Sequence, residues 1–128
     1  MLPTNKAYSG FAAKDIPAEK QFYGETFGIE VNEHMDGQLL ELKLGPDKSV
    51  LIYVKPDFTP ATYTVLNFPV PDVDAAVDEL VRSGVEMARF DGFEQDAKGI
   101  SRDSGGPTIA WFRDPAGNIL AVHSDEAM

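Results

Sequence analysis

Cysteine is missing altogether from these 128 residues. That one absence excludes disulfides and thiolate metal sites. Histidine is nearly as scarce, with only His34 and His123. Basic residues are few: 11 Lys and Arg stand against 21 Asp and Glu, for a formal net charge of -10. Phosphate binding needs clustered Lys and Arg, so nucleic acid and anionic membrane are excluded as partners. No apolar run approaches the length of a membrane span. The opening Met1-Leu2-Pro3-Thr4-Asn5-Lys6 lacks the apolar stretch of a signal peptide. A soluble cytoplasmic protein with no membrane partner is expected. The acidity has two readings, solubility or long-range attraction for a cationic ligand.

What is present is a pattern stated twice. Asp15-Ile16 opens a helical stretch that closes on Gly28-Ile29-Glu30-Val31, and Asp72-Val73 opens another that closes on Gly84-Val85-Glu86-Met87. The copies lie roughly 57 residues apart, too few in number for a solenoid, which needs about three. A duplicated strand–helix–strands module with its copies facing each other is the expected use. Residues 1–128 are then one domain by length. Module one covers about residues 5–55, a Pro-bearing linker about 55–61, and module two about 62–124. With a 43% hydrophobic share, the chain buries roughly two-thirds of its unfolded surface.

Helix and strand periods fill in the modules. Val73, Ala76, Val77, Leu80 and Val81 recur at the spacing of one helical face. Asp72 caps that helix and Gly84 ends it; Asp15, Pro17 and Gly28 play the same parts in the first copy. Strand alternation puts Leu40, Leu42 and Leu44 on one face, and Val50, Ile52 and Val54 opposite Leu51 and Tyr53. Leu66 and Phe68 oppose Val65 and Asn67, while Leu120 and Val122 oppose Ile119, Ala121 and His123. Asp36-Gly37 and Asp114-Pro115-Ala116-Gly117-Asn118 are turns. The stretch from Asp91 to Pro107, which holds Phe93 and Ile100, is either a ligand-covering loop or a surface excursion. Its Asp103-Ser104-Gly105-Gly106-Pro107 lacks the Lys and the strand–helix setting of a phosphate loop.

The order strand–helix–three strands, twice, resembles the vicinal oxygen chelate superfamily of glyoxalases, bleomycin-resistance proteins and extradiol dioxygenases. The residues that carry the likeness are Phe22-Tyr23-Gly24, Gly28-Ile29-Glu30-Val31 and, most specifically, Trp111-Phe112-Arg113-Asp114-Pro115-Ala116-Gly117-Asn118-Ile119-Leu120. The resemblance implies an α+β fold in which two βαβββ modules form a curved sheet around a groove, and it implies a homodimer. It also implies where metal ligands stand in the family's enzymes. Those positions correspond here to Tyr8, Tyr53, Val65 and Ala121, none of them His, Glu, Asp or Cys. No metal, cofactor or catalytic residue is therefore expected.

The remaining inward residues are mostly apolar with a few hydrogen-bonding tips, as in small-molecule pockets. Tyr8, Tyr53, Asn67, Trp111, His123 and Glu41 are the candidate ligand-binding residues. The expected function is small-molecule binding without metal, possessing the character of the family's drug- or metabolite-sequestering branch, with a planar or cationic ligand. Two alternatives stand beside it. One is a metal-dependent enzyme of glyoxalase or dioxygenase type, a lyase or dioxygenase with atypical ligands such as His123 or Glu41. The other is a groove filled by its own side chains.

Overall fold

The computed structural model describes residues 1–102 and 105–127. Asp103 and Ser104, part of the segment compared with a phosphate loop, lie outside the described residues. The chain divides into two compact units, Met1–Pro60 and Ala61–Met128. Each carries one mixed sheet and one main helix, giving an α+β protein.

In the first unit, β1 (Ser9–Ala13) leads through Asp15 into α1 (Ile16–Lys20). The Asp15 carboxylate accepts the N–H of Ala18 at 3.1 Å, which satisfies one of the free donors at the helix start. Pro17 sits in the first turn, where its missing N–H costs nothing. Strands β2 (Glu30–His34), β3 (Leu39–Gly45) and β4 (Lys48–Val54) complete a sheet of order β1-β4-β3-β2. β1 runs parallel to β4, and the other pairs are antiparallel. Leu40, Leu42, Val50 and Ile52 form the buried face, against which α1 packs.

Sequence spacing predicts one regular helix up to Gly28, but the chain widens into a π-helical segment, Gln21–Thr26, after α1. Three aromatics explain the change. At 3.6 residues per turn, positions five apart point away from each other. Phe22 and Phe27 are five apart and lie 4.6 Å ring to ring, which the wider turn permits. The same widening lets fully buried Tyr23 meet Phe22, Phe27 and Phe11. Gly24 keeps this segment close to β2, since a Cβ there would stand 3.2 Å from Val31.

The second unit repeats the plan with an addition. β5 (Thr64–Val70) leads through Asp72 into α2 (Val73–Arg82). Asp72 accepts the N–H of Ala75 at 3.1 Å, the counterpart of the Asp15 cap. α2 ends where the N–H of Gly84 reaches the Val81 carbonyl and that of Val85 reaches Leu80, each at 3.0 Å. This ending needs the left-handed backbone that Gly84 supplies, at a φ of 91°. β6 (Met87–Ala88), β7 (Ile100–Ser101), β8 (Ile109–Arg113) and β9 (Ile119–Ser124) follow. The sheet order is β5-β9-β8-β6, and β7 also pairs with β8. A short 3-10 turn, Asp125–Ala127, closes the unit.

Three expectations need correction. The long stretch after β6 is not wholly irregular, because Ile100 and Ser101 pair with Ala110 and Ile109. Leu44 does not share the burial of Leu40 and Leu42, since the pairing with β4 shifts register between Lys43 and Gly45. On α2 only Val73 and Val77 are fully buried, while Val81 is exposed on the flank of the stripe.

Candidate functional site

The face of the first sheet turned away from α1 follows from strand register. Gly10 stands beside Leu51, which stands opposite Glu41, which stands opposite Asn32. In the next row Ala12, Tyr53, Leu39 and His34 are aligned. Glu41 is the polar centre of this face. One of its carboxylate oxygens lies 3.0 Å from His34 Nε2, and the other accepts the Ser49 hydroxyl at 2.7 Å. The hydrogen bonds from His34, and next from Ser49, hold the Glu41 carboxyl below the usual glutamate range. Glu41 is thus a fixed, ionised acceptor with lone pairs to spare, and a poor proton acceptor near neutrality. The serine bonds to the carboxylate and not to the imidazole, so no hydroxyl nucleophile is activated here.

A cleft of about 360 Å³ opens over this group. Tyr8, just ahead of β1, Leu39 and Leu51 give it apolar walls, and Asn5, Lys6, His34, Glu41, Asp47 and Ser49 make up its polar side. Tyr8 is 67% exposed and Tyr53 46%. Tyr53 shares the face but does not line the cleft. A larger cleft of about 720 Å³ lies between the end of α2 and residues 84–99. None of the six sequence-derived candidates lines it, and its charged side chains, Asp78, Arg82, Glu86, Arg89 and Lys98, are mixed in sign.

The second sheet's face away from α2 carries the other three candidates. Trp111 is opposite Ala121, and Asn67 lies beside Ala121 on β5. His123 is opposite Ile109 and beside Pro69. Asn67 is exposed. Trp111 is 8% exposed, packed with Ala88, Ile119, Ala121, Phe90 and Ile109. His123 is 6% exposed and bonds through Nδ1 to the Ser124 carbonyl at 2.8 Å. A carbonyl only accepts, so Nδ1 is the donor in that bond.

The turn between β8 and β9 holds this face in register. Asp114 Oδ1 accepts the N–H groups of Ala116 and Asn118, each at 3.0 Å. Asn118 in turn donates to Asp114 Oδ2 at 3.4 Å.

Sequence reasoning missed His34 and Ser49. The signal for His34 was available: a hairpin turning at Asp36-Gly37 pairs Asn32 with Glu41 and places His34 diagonally across. Ser49 follows from the next hairpin, opposite Lys43.

A duplicated α+β module with an open polar face in one copy and an aromatic face in the other defines the class of fold. Residues 7–122 match the model of the Glyoxalase/Bleomycin resistance protein/Dioxygenase superfamily, and the chain belongs to that family. No protein of curated function matches it. It is similar to the crystal structure of a glyoxalase family protein from Enterococcus faecalis, at 26% identity and a TM-score of 0.65, covering 91% of this chain and 94% of that one. An antibiotic binding protein from Streptomyces sp. CB03234 shares 23% identity with a TM-score of 0.64, over 92% and 94% of the two chains. A lactoylglutathione lyase from Agrobacterium tumefaciens shares 21% with a TM-score of 0.64, over 95% and 94%. These last two likenesses show the fold alone.

The positions that the family resemblance assigns to metal ligands are Tyr8, Tyr53, Val65 and Ala121, whose side chains do not fit a divalent metal. Among the described residues no group of three His, Asp or Glu converges into a metal site. Among the same residues no helix is long and apolar enough to cross a membrane.

Proposed function

We propose that this protein is a small-molecule binder that takes a flat, cationic ligand on the open face of its first unit. The observation that carries the reading is Glu41, an ionised carboxylate clamped by His34 and Ser49 in a cleft walled on its apolar side by Tyr8, Leu39 and Leu51. A carboxylate already ordered loses little freedom when a ligand N–H bonds to it. Tyr8 and Tyr53 offer ring faces that stack on planar groups and face cations. The net charge of -10 favours a cationic ligand at long range. The antibiotic binding protein of the same fold gives the reading a precedent in kind. Asn67, Trp111 and His123 belong to the aromatic face of the second unit and extend the binding role there. The acting species in this reading is a cytoplasmic homodimer, which light scattering of the purified protein tests.

A thermal-shift screen with planar aromatic cations and their neutral isosteres tests the binding role. Stabilisation by cations and not by isosteres, lost in Glu41→Gln, is expected. No stabilisation across the panel rejects it. The second reading, a metal-dependent enzyme with atypical ligands, draws on the same His34–Glu41 pair. Stoichiometric metal in the purified protein, lost in Glu41→Gln, favours that reading over the first.

A further inference from the structure

The larger cleft of the second unit, about 720 Å³, has two walls of different kinds. One is the exposed flank of α2. Val81 and Arg82 stand three and four residues beyond Asp78, so the three share one helical face, and all of them line the cleft. The other wall is the chain from Val85 to Met87, with Arg89, and its return at Ala97–Gly99. Strand register explains what reaches it. Met87 stands opposite Phe112, and Phe112 opposite Leu120, which puts Met87 on the α2 side of the sheet. Arg89, two positions on, follows Met87 into the cleft.

The returning wall is held in place by the protein itself. Gln95 accepts the N–H of Phe90 and donates to the carbonyls of Ala88 and Gly99. Asp96 accepts the N–H groups of Lys98 and Ile100. Two ionic ties then fasten this wall to the helix. Arg102 bridges Asp96 and Asp74, and Lys98 meets Asp78 at 3.0 Å. A ligand that enters between walls already set loses little free energy in ordering them.

The floor is apolar. Val85 is buried and Met87 half-buried, while Val81 is 55% exposed beside them. The helix thus leaves one apolar side chain uncovered at an apolar floor. The charges around that floor do not cancel. Lys98 is neutralised by Asp78 and Asp74, at 3.0 and 3.7 Å. Arg82 and Arg89 have no carboxylate partner among the described residues. Arg89 gives one terminal nitrogen to the Asp96 carbonyl at 2.6 Å, which fixes its guanidinium and leaves its other N–H groups open. Of the two acids that line the cleft, Asp78 is engaged with Lys98, and Glu86 remains to oppose the two arginines. A local excess of positive charge on a protein of net charge -10 is against the general trend of this surface.

We propose that this cleft binds a small apolar carboxylic acid in its ionised form. Its aliphatic or aryl body lies on Val81, Val85 and Met87. Its carboxylate meets the guanidinium of Arg89, with Arg82 as the second cation. A planar guanidinium matches a carboxylate through two parallel N–H bonds, a geometry that a point charge does not offer. The site lies in the other unit from the cleft at Glu41, shares no residue with it and selects the opposite charge.

The test uses the full chain with 4-tert-butylbenzoate and with 4-tert-butylbenzamide, the same body without the charge. Gly84 and Gly99 stand on opposite walls, and their amide peaks are followed by nitrogen-15 NMR during each titration. The acid moves both peaks saturably and binds about tenfold or more tightly than the amide, as one charge-assisted contact requires. In Arg82→Gln and Arg89→Gln the acid weakens towards the amide while the amide is unchanged, a split that a purely structural arginine does not produce. Glu86→Gln tightens the acid, because the opposing charge is gone. Val81→Asp abolishes binding of both probes with the far-UV dichroism of wild type, Val81 being a surface residue. Glu41→Gln leaves every one of these affinities unchanged, so this site and the first-unit cleft fail independently. Equal affinity for acid and amide overturns the proposal, as does acid binding untouched in both arginine variants. Binding that leaves the Gly84 and Gly99 peaks in place, or that is lost in Glu41→Gln, overturns it as well.

Discussion

Asp114→Ala tests how the aromatic face is held in register. The carboxylate accepts two backbone N–H groups, from Ala116 and Asn118, at 3.0 Å each, and Asp114 and Asn118 are both buried. A hydrogen bond to a charged group contributes about 1.5–3 kcal/mol. The Ala116 N–H is in a half-buried residue and water partly replaces its lost partner, whereas the Asn118 N–H is left dry. The sum is a loss of about 2–4 kcal/mol. At about 4 °C per kcal/mol for a chain of this length, Tm falls by roughly 8–16 °C. Asp114→Asn keeps an acceptor oxygen at the same place and loses only about 1 kcal/mol. Urea unfolding followed by far-UV dichroism gives both numbers. The reasoning is refuted if Asp114→Ala lies within about 1 kcal/mol of wild type, or if Asn is no better than Ala. The consequence for the site is geometric. This turn sets Trp111 opposite Ala121, and a slip of one residue along β8 turns Trp111 to the α2 side.

Other outcomes follow from single features. Asp15→Ala and Asp72→Ala remove matching caps, and each costs about 1 kcal/mol by urea unfolding. Gly84→Ala forces a Cβ onto a φ of 91° and costs about 1 kcal/mol, while Gly106→Ala, with open space around it and no positive φ, changes stability by less than about 0.5 kcal/mol. The Glu41 carboxyl titrates below the 4.5 of a free glutamate. Because the folded-state value is the lower one, its bonds with His34 and Ser49 favour folding in full above the unfolded value of 4.5 and lose their effect as pH falls from there through the folded value. Carbon-13 NMR of the carboxyl shows the shift, and His34→Ala moves it back towards 4.5.

Much of the fold was legible because local chemistry and the global arrangement agree. Asp and Gly bracket each helix where a cap donor and a left-handed residue are required, and strand alternation separated the two sheet faces correctly. Spacing could not show the π-helical turn, because it arises from the mutual contacts of Phe22, Tyr23 and Phe27 and not from helical periodicity. β7 escaped because two residues carry no readable period, and only pairing with β8 defines them. Of the candidate site, Tyr8 and Glu41 come together in one cleft. The partners of Glu41 needed hairpin register, which a strand-by-strand reading does not supply. The contact of Phe93 with Trp111 joins a loop to a strand 18 positions on, and no local pattern encodes it.

The central claim rests on one carboxylate, and one titration tests it most directly. Isothermal calorimetry of the full chain with 9-aminoacridine, a planar cation at neutral pH, is compared for wild type, Glu41→Gln and Glu33→Gln. Glu33 is an exposed acid paired with Lys20, so its variant removes the same net charge away from the cleft. The account predicts saturable binding to wild type and to Glu33→Gln, weakened about tenfold or more in Glu41→Gln, as expected for loss of one charge-assisted contact. Equal affinity in all three proteins, or equal weakening in both variants, contradicts it.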